Sequence, residues 1–341
     1  MNPVTPILFF DALNGYQRTA VIKAAIELDV FSHIATGSET VEALAEACDA
    51  SRTGIRVLCD ALAILGLLEK KDARYKLTAE SSLYLDRGSP SYVGAATEFI
   101  TDAVQIECFA QFTEAVKRGG SATSQLGTLA PDHPVWGHFA RSMTGVARPM
   151  AEFVAAEAGP VSRVLDVACG HGLYGIAIAE ANAEAEVTAV DWPHVLAVAS
   201  RHARLAGVEA RFHPVAGSAF DVDFGAGYDV VILGNFLHCL DPESCARILG
   251  RVRAALREDG RLFTVAFVPG PDRLRPSASG WFATAMLATT PGGDAYTKDE
   301  YDALFSAAGF SASRMVDIPG SAQRLLISHA GSHAGRPSAA Q

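Results

Sequence analysis

The chain has 341 residues, with 28 Lys and Arg against 38 Asp and Glu, a formal net charge of -10, 49% apolar and 19% charged residues. That length suffices for two domains, the second with a sizeable core, and the acidic balance argues against a nucleic-acid partner, because binding phosphate backbones needs a basic surface. No segment reaches the roughly 18 consecutive apolar residues of a membrane helix, and MNPVTPILFFDAL lacks the basic n-region of a signal peptide, with Asp11 interrupting its short apolar run.

The six cysteines, Cys48, Cys59, Cys108, Cys169, Cys239 and Cys245, form no C-x-x-C pair. In a chain this long they read as reduced thiols of a cytoplasmic enzyme. Residues 1–100 read as a mostly helical domain. PILFFDALNGYQRTAVIKAAIELDVFSHI has apolar residues at helical spacing. SETVEALAEAC follows, with Ser38 or Thr40 as N-cap, and SRTGIRVLCDALAILGLLEKK gives a third helix ending near Gly66. YKLTAESSLYL reads as a short β-wing, which completes a winged-helix pattern. The third helix offers Arg52 and Arg56, but Ile55, Leu58, Leu62, Ile64 and Leu65 make it a packing helix more than a DNA reader.

Residues 101–160 read as a helical linker that contributes to a substrate pocket. It has a glycine-rich break at GGSATSQLG and a long helix or helix pair over HPVWGHFARSMTGVARPMAEFVAAEAG. From residue 161 to 328 the period changes. RVLDVAC, EVTAVD, ARFHPVAG, YDVVILGN, RLFTVAFV and RLLIS read as strands, with helices from about 173, from about 194, near 243–257 and near 298–308 between them. Strands alternating with helices imply a mostly parallel sheet covered on both faces, a Rossmann-like α/β domain. HAGSHAGRPSAAQ, residues 329–341, is small and polar and reads as a disordered tail.

The central motif is LDVACGHGLYG, where a strand ends near Val167 and a helix opens near Leu173. Gly170 and Gly172 allow a sharp turn and close ligand approach. With Gly175 they also match G-x-G-x-x-G, a weak signal that leaves a NAD(P) oxidoreductase as a rival. Asp166, at the strand end four residues before Gly170, suits a cofactor carrying an ammonium group better than a pyrophosphate. Asp191 ends the next strand, where an acid accepts ribose hydroxyls, and Trp192 after it can pack on the sugar or adenine.

Several co-linear motifs then point one way: LDVACGHGLYG, AVDWPHVL, GSAF, NFLHCLD, FVPGPDR and TPGGDAYTKDEYDALFSAAGF. Together with FARSM and the winged helix, they resemble the class I S-adenosylmethionine-dependent O-methyltransferases of the plant caffeate and hydroxyindole type, and more closely their bacterial natural-product branch, over residues 10–328. The resemblance implies a homodimer whose N-terminal helices intertwine, S-adenosylmethionine as cofactor with S-adenosylhomocysteine as product, and a small aromatic or polyketide-like acceptor from secondary metabolism. It places Asp166, Gly170, Gly172 and Asp191 at the cofactor. Ser218, Ala219 and Phe220 fall around adenine, Asn235 lies close by, and Phe139 and Met143 stand at the substrate wall. It assigns His238 as general base, since an imidazole can take the proton of a phenol as the oxygen attacks. Asp241 reads as a helix cap.

The chain departs from that family at two places. Where the family carries glutamates that orient the base, the strand reads Thr264-Val265-Ala266-Phe267 and the late motif Gly292-Gly293-Asp294-Ala295-Tyr296-Thr297. Ala266 and Ala295 therefore stand at the glutamate positions, and Asp294 is the expected substitute. A carbon or nitrogen acceptor, or a relative that uses the cofactor for hydroxylation or cyclisation, stays open, as does a regulatory winged-helix protein. No H-x-H, C-x-x-C or HExxH spacing implies a metal.

Overall fold

A computed structural model describes residues 4–331. The chain divides into two units, Met1–Asp102 and Ala103–Gln341. In the first unit the opening helical run breaks into α1 (Ile7–Leu13), α2 (Gly15–Glu27) and α3 (Val30–Ala35), with Asp29 in the left-handed region before α3. α4 (Val41–Ala47) is capped by Thr40, whose hydroxyl accepts the Ala43 N–H. α5 (Arg52–Ile64) buries Ile55, Cys59 and Leu62, spaced four and three apart on one face. These pack with Val30, Phe31, Leu44 and Tyr75 in one core. Ile64 is 86% exposed and Leu58 only half-buried, so the third helix is less enclosed than its composition suggests. α1 buries nothing, and Ile7, Leu8, Phe9, Phe10 and Leu13 are all exposed.

The wing lies earlier than the sequence reading placed it. It is an antiparallel hairpin of β1 (Leu68–Lys71) and β2 (Arg74–Leu77). AESSLY is instead α6 (Ala79–Tyr84), because Thr78 and Ser81 form a reciprocal capping box that starts a helix there. α7 (Ala96–Ile100) closes this unit.

The second unit opens with α8 (Ala103–Ala110) and α9 (Phe112–Arg118), the latter ended by Gly119 in the left-handed conformation. The next stretch is a pair, α10 (Val135–Ser142) and α11 (Thr144–Ala158), broken at Met143. Then come β3 (Arg163–Val167), α12 (Leu173–Ala181), β4 (Glu186–Asp191), α13 (Pro193–Leu205), β5 (Phe212–Ala216), β6 (Tyr228–Gly234), α14 (Pro242–Ala255), β7 (Leu256–Ala266), α15 (Ser277–Thr289), α16 (Lys298–Ala307), β8 (Arg314–Asp317) and β9 (Arg324–His329). α15 and β8 have no counterpart in the sequence reading.

The seven strands stand in the order β5-β4-β3-β6-β7-β9-β8, parallel except where β9 pairs antiparallel with β7 and β8. β6 is buried almost throughout, as a strand covered on both faces must be. α11, α12 and α13 bury one face of the sheet; α14 and α16 bury the other. The strand order reverses between β3 and β6, so a crevice opens beyond their carboxyl ends. His329 ends β9 and Ala330 bridges to Phe310, so the expected tail begins no earlier than 331; residues 332–341 lie outside the described residues. No helix among the described residues is long and apolar enough to cross a membrane, and all six cysteines are free thiols.

Candidate active site

The glycine loop turns at the end of β3 through three left-handed residues, Ala168 (φ 53°), Gly170 (φ 56°) and Gly172 (φ 73°). The two glycines answer different demands. A Cβ on Gly170 would meet only the Phe139 ring, at 3.3 Å, whereas one on Gly172 would lie 2.9 Å from the Ala199 Cβ. Gly172 thus serves close packing of the loop against α13. Gly175 serves the same end, since its Cβ would fall 2.7 Å from Val187 Cγ1.

Five of the loop's backbone donors are already engaged. Cys169 N–H donates to the Val190 carbonyl (3.1 Å), Gly172 to Cys169 (2.8 Å), Gly170 to Asp191 Oδ2 (2.8 Å), Leu173 to His171 Nδ1 (3.1 Å) and Gly175 to Asp166 Oδ2 (3.1 Å). A pyrophosphate needs such donors unpaired and a cationic surround. Here it would meet two carboxylates instead.

What the crevice leaves unpaired is mainly acceptor atoms. Asp166 is 1% exposed and its Oδ1 has no partner; Tyr174 Oη and Asn235 Oδ1 are likewise buried and unpaired. The three converge: Asn235 (φ 57°) follows Gly234, and a Cβ on Gly234 would lie 2.7 Å from the Tyr174 ring. Burial pushes the Asp166 carboxyl up to about 8, so a cation placed beside it recovers a large desolvation cost. Burial also raises Asp191, to about 6, against the pull of its bonds from Gly170 and Trp192. His171 stays neutral, driven down to about 3 by burial. An ammonium fits beside Asp166 and ribose hydroxyls fit at Asp191, so the donor set suits S-adenosylmethionine.

Trp192 is half-buried at the N-cap of α13. Ser218 spends its hydroxyl on the Phe220 N–H at 3.1 Å, Ala219 is half-buried beside it, and the Phe220 ring sits under the Arg247 guanidinium at 5.0 Å. Phe139, expected at the substrate wall, lies over Gly170 and stacks on His171 at 6.0 Å, which puts it against the cofactor loop. Met143 is half-buried at the break between α10 and α11.

His238 sits in a 3-10 turn after β6, 3% exposed. Its ring meets Phe282 edge-on at 4.6 Å, and Phe282 stacks on Phe267 at 4.2 Å. Its Nδ1 is buried without a partner, and burial alone drives the ring down to about 3. Ala266 and Ala295 are each 1% exposed and add no acid. Asp294 does not replace the missing glutamate. Its N–H donates to the His238 carbonyl at 2.9 Å, but its carboxylate turns to Arg273 at 3.0 Å. Arg273, held also by Glu300 and the Ala295 carbonyl, claims that acid from a distant loop. Asp241 caps α14 through Ser244, as its position suggested. Tyr174, Phe267 and Phe282 went unassigned in the sequence reading. Tyr174 and Phe267 lie inside quoted motifs, while Phe282 carries no signal at all. Among the described residues no three His, Cys, Asp or Glu side chains are grouped to hold a metal ion.

Residues 126–311 match the O-methyltransferase domain, and residues 10–87 match the O-methyltransferase dimerisation domain. The chain is 28% identical over 328 residues to 3-hydroxy-5-methyl-1-naphthoate 3-O-methyltransferase of Streptomyces sahachiroi, covering 91% of each chain. A solved structure from Nostoc punctiforme PCC 73102, provisionally described as an O-methyltransferase, is 44% identical with a TM-score of 0.93, covering 96% of this chain and 100% of that one. Human N-acetylserotonin methyltransferase in complex with S-adenosylmethionine shares the fold at 22% identity, with a TM-score of 0.84 and coverage of 97% and 99%. A match over more than half the chain, on a crevice whose acids suit that cofactor, makes the chain a member of the O-methyltransferase family and an S-adenosylmethionine-dependent enzyme.

Proposed function

We propose that this enzyme methylates a hydroxyl of a flat aromatic small molecule, working as a cytoplasmic homodimer. The observation that carries the acceptor class is the aromatic stack at His238, in which Phe282 meets the imidazole and Phe267 stacks on Phe282. Aromatic walls suit a planar ring, and a single polar group among them marks where its oxygen lies. The Streptomyces relative is, by its name, a naphthoate O-methyltransferase, which supports the same class. The dimerisation domain and the fully exposed apolar face of α1 support the homodimer.

S-adenosylmethionine supplies an electrophilic methyl on a sulfonium, itself a good leaving group. The chain's residues bind, orient and exclude water. Asp166, Tyr174 and Asn235 would hold the amino-acid end, Asp191 with Trp192 the ribose, and Ser218, Ala219 and Phe220 the adenine. Gly170 and Gly172 shape the loop beneath, and Phe139 covers it. Met143, in the 101–160 stretch, lines the acceptor side, and His238 faces the hydroxyl. Alignment of oxygen with methyl carries much of the rate. A second reading, in which the bound cofactor serves another reaction, is favoured by the unpartnered His238 Nδ1. Incubation with a panel of phenols, scoring S-adenosylhomocysteine against O-methylated product, tests both. Equal amounts support O-transfer, and altered acceptor without S-adenosylhomocysteine supports the second reading.

A further inference from the structure

We propose that the acceptor is an acidic hydroxyl that enters the site already ionised, and that His238 holds its oxygen through a neutral ring N–H without removing its proton. The proposal rests on the O-methyl-transfer reading above.

The surroundings of His238 make it a poor proton acceptor. Its ring packs on Phe282, with Phe267 behind, and its Nδ1 is enclosed without a partner. The charged groups Asp241, Asp294 and Arg273 on the neighbouring segments are committed elsewhere. Asp241, at the start of α14, accepts from Ser244 N–H and Oγ at 2.9 Å each. Asp294 is paired with Arg273, and Arg273 also with Glu300. Cys239, next in sequence, directs its thiol to the Asn235 carbonyl. β7 offers Thr264 and Ala266, and α15 offers Phe282 and the buried hydroxyl of Ser279. With no acid paired to it, a proton gained by the ring would be a charge buried against Phe282, and burial drives the pKa down to about 3.

An ordinary phenol, with pKa about 10, is then a poor match to a ring whose burial disfavours its protonated form. A hydroxyl conjugated to a carbonyl or nitro group, with pKa below about 7, loses its proton to water before it binds. Toward that anion a neutral imidazole is well suited. Nδ1 has no acceptor to hold a proton, so the tautomer carrying it on Nε2 is favoured, leaving one donor for a phenolate oxygen. In the transfer, a lone pair of that oxygen forms the new C–O bond and the methyl–sulfur bond breaks. The electron pair stays on sulfur, turning sulfonium to thioether, and no proton remains to be placed.

The test uses the intact enzyme and hydroxynaphthalenes and hydroxynaphthoquinones graded in pKa from ~5 to ~10. Absorbance difference spectra with S-adenosylhomocysteine present should show the acidic members bound as anions at neutral pH. At pH 7, kcat/KM should fall about tenfold per pKa unit above 7, and the pH break should move with the acceptor's own pKa. His238→Asn, which keeps a donor, should stay within about tenfold of wild type on acidic acceptors. His238→Ala should lose more than about a hundredfold. A pH break fixed near 6–7 for every acceptor, abolished in His238→Asn, would restore the general base and overturn the proposal. No O-methylated product from any member, with S-adenosylhomocysteine binding intact by calorimetry, would overturn the O-transfer reading and this proposal with it.

Discussion

Asp191 accepts the backbone N–H of Gly170 across the crevice at 2.8 Å, and its other oxygen accepts the Trp192 N–H at 2.7 Å. One carboxylate thereby fixes the apex of the glycine loop to the end of β4 while facing the place where ribose hydroxyls would bind. Asp191→Ala should weaken S-adenosylmethionine binding at least tenfold, about 1.4 kcal/mol. Calorimetry at fixed pH reads this directly, and an unchanged affinity would remove Asp191 from the site.

Tyr174 separates a binding role from a structural one. Its hydroxyl is buried beside Asn235 and Asp166 and makes no well-formed hydrogen bond. Removing an unsatisfied hydroxyl from a core is neutral or stabilising by about 1 kcal/mol. Tyr174→Phe should therefore melt no lower than wild type yet bind the cofactor several-fold more weakly. A lower melting temperature with unchanged affinity would make Tyr174 a packing residue alone.

The reverse holds at Gly172. A methyl there meets the Ala199 Cβ at 2.9 Å, on a backbone with φ of 73° that disfavours side chains. Gly172→Ala should cost about 1–3 kcal/mol of stability. Urea denaturation should show a lower midpoint at unchanged m-value; a midpoint equal to wild type would contradict the packing argument.

The buried titratable groups set an opposed pH dependence. Asp166 rises from 3.8 to about 8, so the folded cofactor-free protein holds a proton the unfolded chain has lost, and stability falls as pH rises through that window. His171 and His238 fall from 6.5 to about 3, so stability is lost as pH drops below 6.5. Thermal melts of the cofactor-free protein should peak at about pH 6–6.5, where the falling gain from the two histidines balances the loss from Asp166. Asp166→Asn should flatten the alkaline limb and steepen the acid one, because the Asp166 window overlaps that of the histidines. Because an ammonium needs the ionised form, cofactor affinity should rise with pH toward 8 in wild type and lose that dependence in the variant.

The strands around the crevice were legible because β3, β4, β6 and β7 read as short β-rich apolar runs, and the glycine loop because left-handed turns leave a compositional mark. α15 was not, since its apolar residues are scattered among Ser, Thr, Ala and Gly without a clean stripe. The helical AESSLY was read as wing because the Thr78–Ser81 box uses Ser in place of the usual Glu. Asp294 shows the deeper limit. Its place beside Ala295 suggested a carboxylate for His238, but adjacency along a loop does not fix direction, and Arg273, 21 residues away, took it. Phe282 reaches His238 only through the tertiary packing of α15.

The most direct test of O-methyl transfer uses S-adenosylmethionine labelled with carbon-13 at its methyl group, incubated with enzyme and acidic phenols, with products resolved by mass spectrometry and NMR. The account predicts one label per product molecule, bonded to oxygen, with an equal amount of S-adenosylhomocysteine. Label on carbon or nitrogen, or acceptor altered while the labelled cofactor stays whole, would contradict it.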